Sequence, residues 1–136
     1  MKDLCSGQIS EGSKREFISS ASLDDHGQLV VTLEGIIRVD DSTQLLSGYI
    51  RELARSLASL QVPAALVDFT RLRFCNSTGF YAVMDILDAV YKQVSGPVTL
   101  RRLAEDEWHT ETLPLLLIAL GDGTGARTSF EDVAAP

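Results

Sequence analysis

Ala64-Ala65-Leu66-Val67-Asp68-Phe69-Thr70-Arg71-Leu72-Arg73-Phe74-Cys75-Asn76-Ser77-Thr78-Gly79 is the stretch on which the fold turns. Its first six residues are apolar almost throughout, the composition of a central strand covered on both faces. Leu72 and Phe74 carry the run on towards Cys75. After Gly79 the pattern changes period. Phe80, Val83, Met84, Leu87, Val90, Tyr91 and Val94 recur at i, i+3, i+4, i+7, i+10, i+11 and i+14. That spacing predicts an amphipathic helix over 77–95, with Tyr81, Asp85, Asp88 and Lys92 on its solvent side. Gly96-Pro97 stops it, and Val98 to Leu103 resumes a strand.

Upstream, Phe17, Ser19, Ala21 and Leu23 alternate as a half-buried strand does. The turn Asp24-Asp25-His26-Gly27 and the strand Gln28 to Leu33 complete a hairpin. Gly35 breaks that strand ahead of Ile36-Ile37. Asp41 stands three residues before Gln44, the spacing of an N-cap with a return contact. Leu46, Tyr49, Ile50, Leu53, Leu57 and Leu60 then share one face of a helix over 41–60. Downstream, Trp108 to Leu120 reads as helical in its second half, with Pro114 tolerated only near a first turn. The glycine loop Gly121 to Gly125 follows, then a weak strand, and Ser129 three residues before Asp132 suits the cap of a last short helix. Residues 1–15, rich in Ser, Gly and charge, read as a flexible lead-in, and 16–136 as one domain. Strands alternating with helices predict an α/β fold: a mixed β-sheet, with an opening hairpin and parallel strands, and helices packed mainly on one side.

Composition narrows the function classes. The chain has 136 residues, 45% of them hydrophobic, enough for one core without staples. Its 19 acidic and 12 basic side chains leave a net charge of -7. Phosphate-rich partners require clustered Lys and Arg, so neither nucleic acid nor insertion into a membrane is expected. The longest apolar stretch, Leu113 to Leu120, is far shorter than the roughly 20 residues of a membrane span. No secretory h-region appears at the start, which places the chain in the cytoplasm with reduced thiols.

Between its buried strand and its amphipathic helix, the segment Phe74-Cys75-Asn76-Ser77-Thr78-Gly79 resembles the STAS domain, shared by sulfate-transporter tails and bacterial anti-sigma factor antagonists. The likeness spans about residues 17 to 135, including the order of elements and the glycine at Gly35. In that family the corresponding stretch reads Asp-Ser-Ser-Gly or Asp-Ser-Thr-Gly after an apolar strand and a Phe. The serine after the acid is phosphorylated by an ATP-dependent anti-sigma kinase. The dephosphorylated form binds the kinase and frees its target. The resemblance implies a STAS-like fold, no enzyme activity and no cofactor. It also implies a protein partner of the anti-sigma factor/serine kinase class, with a phosphatase in the same circuit. By position the phosphorylated serine is Ser77. Asn76 stands where the family has its acid.

The residues themselves support a docking role. On the helical wheel Ser77 lies with Tyr81, Met84 and Asp88, away from the Val83-Leu87-Val90 stripe. The partner-binding set is therefore Asn76, Ser77, Thr78, Gly79, Tyr81 and Met84, with Thr78 and Gly79 shaping the turn. The plain alternative is that Asn76-Ser77-Thr78-Gly79 is a helix cap and nothing more. An enzyme or ligand-binding reading would use Cys75, with His26 or His109 as base, and the Gly121–Gly125 loop. That loop follows a helix and carries no Lys, and Cys75 ends an apolar strand as a buried thiol does. A third reading is the cytosolic STAS subunit of a transporter. Two His and two Cys at wide spacing give no metal-ligand pattern.

Overall fold

The computed structural model describes residues 1–121 and 123–135; Asp122 of the glycine loop and Pro136 lie outside the described residues. Six strands form one sheet in chain order: β1 Lys2–Glu11, β2 Lys14–Leu23, β3 Leu29–Ile37, β4 Ala65–Cys75, β5 Val98–Leu103 and β6 Thr128–Val133. β1, β2 and β3 pair antiparallel, while β3, β4, β5 and β6 pair parallel. The helices are α1 Ser42–Ala58, α2 Ser77–Gln93, α3 Leu113–Leu120 and the short α4 Thr124–Arg127, and a π-helical turn at Trp108–Thr112 leads into α3. This is the mixed α/β sheet expected from the sequence.

Alternation along the strands decides where the core sits. Phe17, Ser19 and Ala21 of β2, Val31 and Leu33 of β3, Val67 and Phe69 of β4, and Val98 and Leu100 of β5 are all buried. They meet the apolar stripes of α1 (Leu46, Tyr49, Leu53, Leu57) and α2 (Ala82, Val83, Ile86, Leu87, Val90). Each fully buried aliphatic or aromatic side chain stabilises the fold by about 1.5–3 kcal/mol. Ser19 enters this layer because Tyr49 Oη lies 2.8 Å from its hydroxyl, so both polar groups have a partner. At the far end of α2 the Arg127 guanidinium donates to the carbonyls of Tyr91, Val94 and Gly96, closing the helix C-terminus.

Four expectations need correction. The lead-in expected at residues 1–15 is largely strand β1, paired along its length with β2. Its polar composition is that of an edge strand, where only one margin is hydrogen-bonded. β4 is not covered on both faces: Leu66, Asp68 and Thr70 are only half-buried. Ser129 does not cap a helix; residues 128–133 are β6, and the last helix precedes it. Gly35 does not end its strand. With φ at +105° and the Glu16 carbonyl 2.0 Å from where a Cβ would stand, it marks an irregularity that β3 passes through to Ile37.

Candidate functional site at the start of α2

β3 and β4 finish side by side, with Ile37 paired to Cys75, and the chain turns there into α2. The Asn76 N–H donates to the Ile37 carbonyl at 2.9 Å, so the turn begins as a continuation of the ladder. Asn76 is the N-cap, with extended backbone. Its Oδ1 accepts from the Gly79 N–H at 2.8 Å, and its Nδ2 donates to the Val39 carbonyl at 3.2 Å. Thr78 Oγ1 lies 2.9 Å from the same carbonyl and 3.1 Å from Asn76 Oδ1. Ser42, the first residue of α1, points its hydroxyl at Thr78 Oγ1 from 3.5 Å. The start of α2 is thus tied to the loop that enters α1.

Gly79 completes the turn by what it lacks. A Cβ there would lie 2.8 Å from Ile37 Cγ2 and 3.0 Å from Cys75 Cβ. The first turn of α2 rests on the ends of β3 and β4 because that position carries no side chain.

Asn76, Thr78 and Gly79 are therefore engaged by the fold, and Met84 packs partly against the core, while Ser77 and Tyr81 stand out from it. Ser77 is exposed, and its hydroxyl has no hydrogen-bond partner among the described residues. One turn on, Tyr81 is 61% exposed, its ring meeting Phe80 edge to face at 6.3 Å. Met84 is half-buried in the next turn. Asp85 is exposed, and its carboxyl is held above the usual carboxylate range, first by partial burial and then by Asp88. Asp88 itself pairs with Lys92 at 2.9 Å. The outer face of α2 thus combines a free hydroxyl, a phenol, a thioether and acidic groups. Ser77 also occupies the first turn, where backbone N–H groups and the positive dipole end tolerate an anion.

The other sequence candidates fall elsewhere. Cys75 is buried, and burial pushes its thiol up to about 11, so the nucleophilic thiolate is scarce at neutral pH. His109 does not serve it. The fully buried imidazole accepts the Leu103 N–H at Nδ1 (3.0 Å) and donates from Nε2 to the Leu72 carbonyl (3.2 Å). In the glycine loop, Gly121 and Gly123 have left-handed φ, and the Thr124 hydroxyl is taken by the carbonyls of Leu117 and Gly121. α4, which follows it, has four residues. Among the described residues no group of three His, Cys, Asp or Glu side chains could hold a metal, and no helix is long and apolar enough to cross a membrane.

Sequence reasoning missed the Val39 carbonyl and the Ser42 hydroxyl, which build the site from across the sheet. Neither has a signal in local sequence, since a backbone carbonyl is present at every residue.

No family model and no curated protein sequence matches the chain. Solved structures do. SiaC of Pseudomonas aeruginosa is 23% identical, with 99% of this chain and 98% of that chain covered and a TM-score of 0.52. An anti-sigma factor antagonist from Mycobacterium paratuberculosis is 16% identical over 90% of each chain, also at 0.52. The structure of the diguanylate cyclase SiaD in complex with its activator SiaC, from Pseudomonas aeruginosa, matches at 23% identity and 0.52, covering 85% of this chain and 92% of that chain. The chain shares the fold of these structures, a STAS-like mixed sheet with helices.

Proposed function

We propose that this STAS-like chain is a non-enzymatic regulatory module that docks a protein partner through the outer face of α2, with Ser77 at the centre of the contact. The observation that carries this reading is the free Ser77 hydroxyl. Within one turn, Asn76 and Thr78 are engaged by the backbone, and Ser77 alone offers its polar group outward. Tyr81 and Met84 supply the adaptable apolar surface that recurs at protein contacts. Asn76, Thr78 and Gly79 hold the turn. Phosphorylation of Ser77 adds about -1.5 to -2 charge to a chain already at -7. A partner packed against a neutral hydroxyl then meets a desolvated charge, and the complex dissociates without a large rearrangement. The anti-sigma antagonist likeness favours an anti-sigma factor or serine kinase as partner, acting in the cytoplasm, with a phosphatase restoring the docking form.

A second reading concerns the partner alone. The likeness to SiaC extends over 99% of the chain against 90% for the antagonist, at higher identity. SiaC is titled as the activator of a diguanylate cyclase, so an enzyme of signalling-nucleotide synthesis is the alternative partner class. Either partner is tested in one way. Ser77→Asp is expected to weaken binding about 30-fold, on the order of 2 kcal/mol for an unpaired interfacial charge, while Ser77→Ala binds nearly as the native chain does. Titration of each purified partner class against the three folded forms decides it. Equal affinity for all three would remove Ser77 from the interface.

A further inference from the structure

The ladder between β4 and β5 stops early. Their paired residues run only from Ala65↔Val98 to Asp68↔Arg101, although β4 continues to Cys75. Where further rungs would stand, the His109 ring bridges the Leu103 N–H and the Leu72 carbonyl, and the π-helical turn is what aims it there. The strands stay spread around the imidazole. At this end of the sheet lies a cleft of about 740 Å³ whose lining includes Glu34, Gly35, Arg71, Arg73 and Asp106. That volume is in the range of small-molecule sites.

Two register shifts between β3 and β4 decide what faces the cleft. They fall between the pairs Thr32↔Asp68 and Glu34↔Arg71, and again between Gly35↔Leu72 and Ile36↔Phe74. Leu72 is thereby buried, while Arg71 and Arg73 on either side of it are exposed and line the cleft together. Re-aiming side chains is the usual consequence of such irregularities.

Apart from Arg127, six basic side chains make no ion pair among the described residues, Lys2, Lys14, Arg15, Arg51, Arg71 and Arg73, and of these Arg71 and Arg73 are the two that line this cleft. Arg38, Arg55, Lys92, Arg101 and Arg102 all pair with carboxylates, and Arg127 is held by carbonyls. Among the described residues neither Arg71 nor Arg73 has a carboxylate within salt-bridge distance, in a chain with seven excess acids. Two of the nearby acids are engaged. Asp68 accepts from the Thr70 hydroxyl at 2.7 Å and the Thr70 N–H at 2.9 Å, and it faces Arg101 at 3.6 Å. Asp106 accepts the His109 N–H at 3.2 Å. Glu34 is Arg71's cross-strand neighbour, yet the two form no ion pair. Among the described residues it is the acid of the cleft lining with no side-chain hydrogen bond or ion pair.

We propose that this cleft is an anion site that takes a phosphate monoester, gripped by the Arg71 and Arg73 guanidiniums. Guanidinium forks match the oxygens of a phosphate group bidentately, and two of them in one cleft, neither ion-paired among the described residues, are arranged for an external anion. Glu34 sets the affinity by opposing the ligand's charge. The site is independent of Ser77 and stands whether or not that residue docks a partner.

The test is an NMR titration of the full, isotope-labelled chain with inorganic phosphate and with phenyl phosphate, sodium chloride holding the ionic strength constant. Saturable shifts are expected at the Arg71 and Arg73 side chains and the Gly35 amide, with Kd about 1 mM and phenyl phosphate the tighter of the two. Arg71→Met with Arg73→Met should lose at least about tenfold, and Glu34→Gln should tighten binding several-fold; circular dichroism checks that each variant is folded. Shifts that stay linear to about 100 mM would mean screening alone and overturn the site. Saturable shifts confined to the amides of Ser77 to Gly79, unchanged in the arginine variants, would overturn it equally, by assigning the phosphate to the helix start.

Discussion

Two helices begin next to each other at the ends of β3 and β4, and they begin differently. α1 opens at Asp41 and Ser42 with no side-chain cap bond: Asp41 holds the N-cap position, but its carboxylate accepts nothing from the first turn. α2 opens at Asn76 with a cap from Oδ1 to the Gly79 N–H, a second bond from Nδ2 to Val39, and a third residue, Thr78, on the same carbonyl. α1 is held by its buried stripe, which packs on β1 and against α2 and reaches Ser19 of β2 through Tyr49. α2 is held by its stripe and also fixed at its first turn. A helix whose start must present one side chain to a partner needs that second constraint. One whose start presents nothing does not.

The largest test of this contrast is Gly79→Val. Its branched side chain would be driven into Ile37 and Cys75, which already lie within 3.0 Å of the first carbon added. Overpacking of this kind costs about 1–3 kcal/mol, and the value here should fall at the upper end because the obstacle includes the ends of two strands. Urea denaturation reads it; a loss below about 0.5 kcal/mol would mean that the first turn of α2 is free to move.

Next in size is Asn76. Asn76→Ala removes the cap and leaves the Gly79 N–H unpaired, a loss of about 1–2 kcal/mol. Asn76→Asp is more informative. The acceptor survives, and the helix dipole favours the charge, but the group that donated to the Val39 carbonyl becomes a carboxylate oxygen facing it. The two effects oppose each other, so Asn76→Asp should lie between native and Ala. If Asn76→Asp proves more stable than the native chain, the Val39 bond contributes nothing, and the amide at this position is not explained by the fold.

How much of this was legible beforehand follows the same divide. Period two located β2, a continuous apolar run located β4, and period 3.6 located α1 and α2, while the hairpin turn and Gly96-Pro97 placed β3 and β5, because a core face must be apolar whatever the tertiary detail. β1 was missed since an edge strand with Lys2, Asp3, Ser6, Gln8 and Ser10 looks like a polar tail; its inward positions, Cys5, Gly7 and Ile9, are small or few. The cap at Asn76 was legible by residue type, as was one at Asp41, and only tertiary neighbours separate the one that forms from the one that does not. His109 appeared as a possible base for Cys75. Its bridge between β4 and β5 depends on a π-helical turn and a strand divergence, neither of which has a short-range signature.

The smallest effects sharpen the contrast most, because they ask whether a polar side chain at a helix start is used at all. Asp41→Ala should change stability by no more than about 0.5 kcal/mol, as no hydrogen bond is lost and only a dipole interaction at an exposed site disappears. Ser77→Ala should be as small or smaller. Its hydroxyl has no partner among the described residues, it is exposed, and Ala is the better helix former in a first turn. The neighbouring Thr78→Ala gives the control. It removes the hydroxyl that meets Val39 and Asn76, so a loss of about 1 kcal/mol is expected. Three urea curves measured together settle the order. Thr78→Ala must be the outlier, with Asp41→Ala and Ser77→Ala close to native. A Ser77→Ala loss comparable to that of Thr78→Ala would show the Ser77 hydroxyl bonded within the fold in solution, and a hydroxyl engaged there could not be the group held out for a partner.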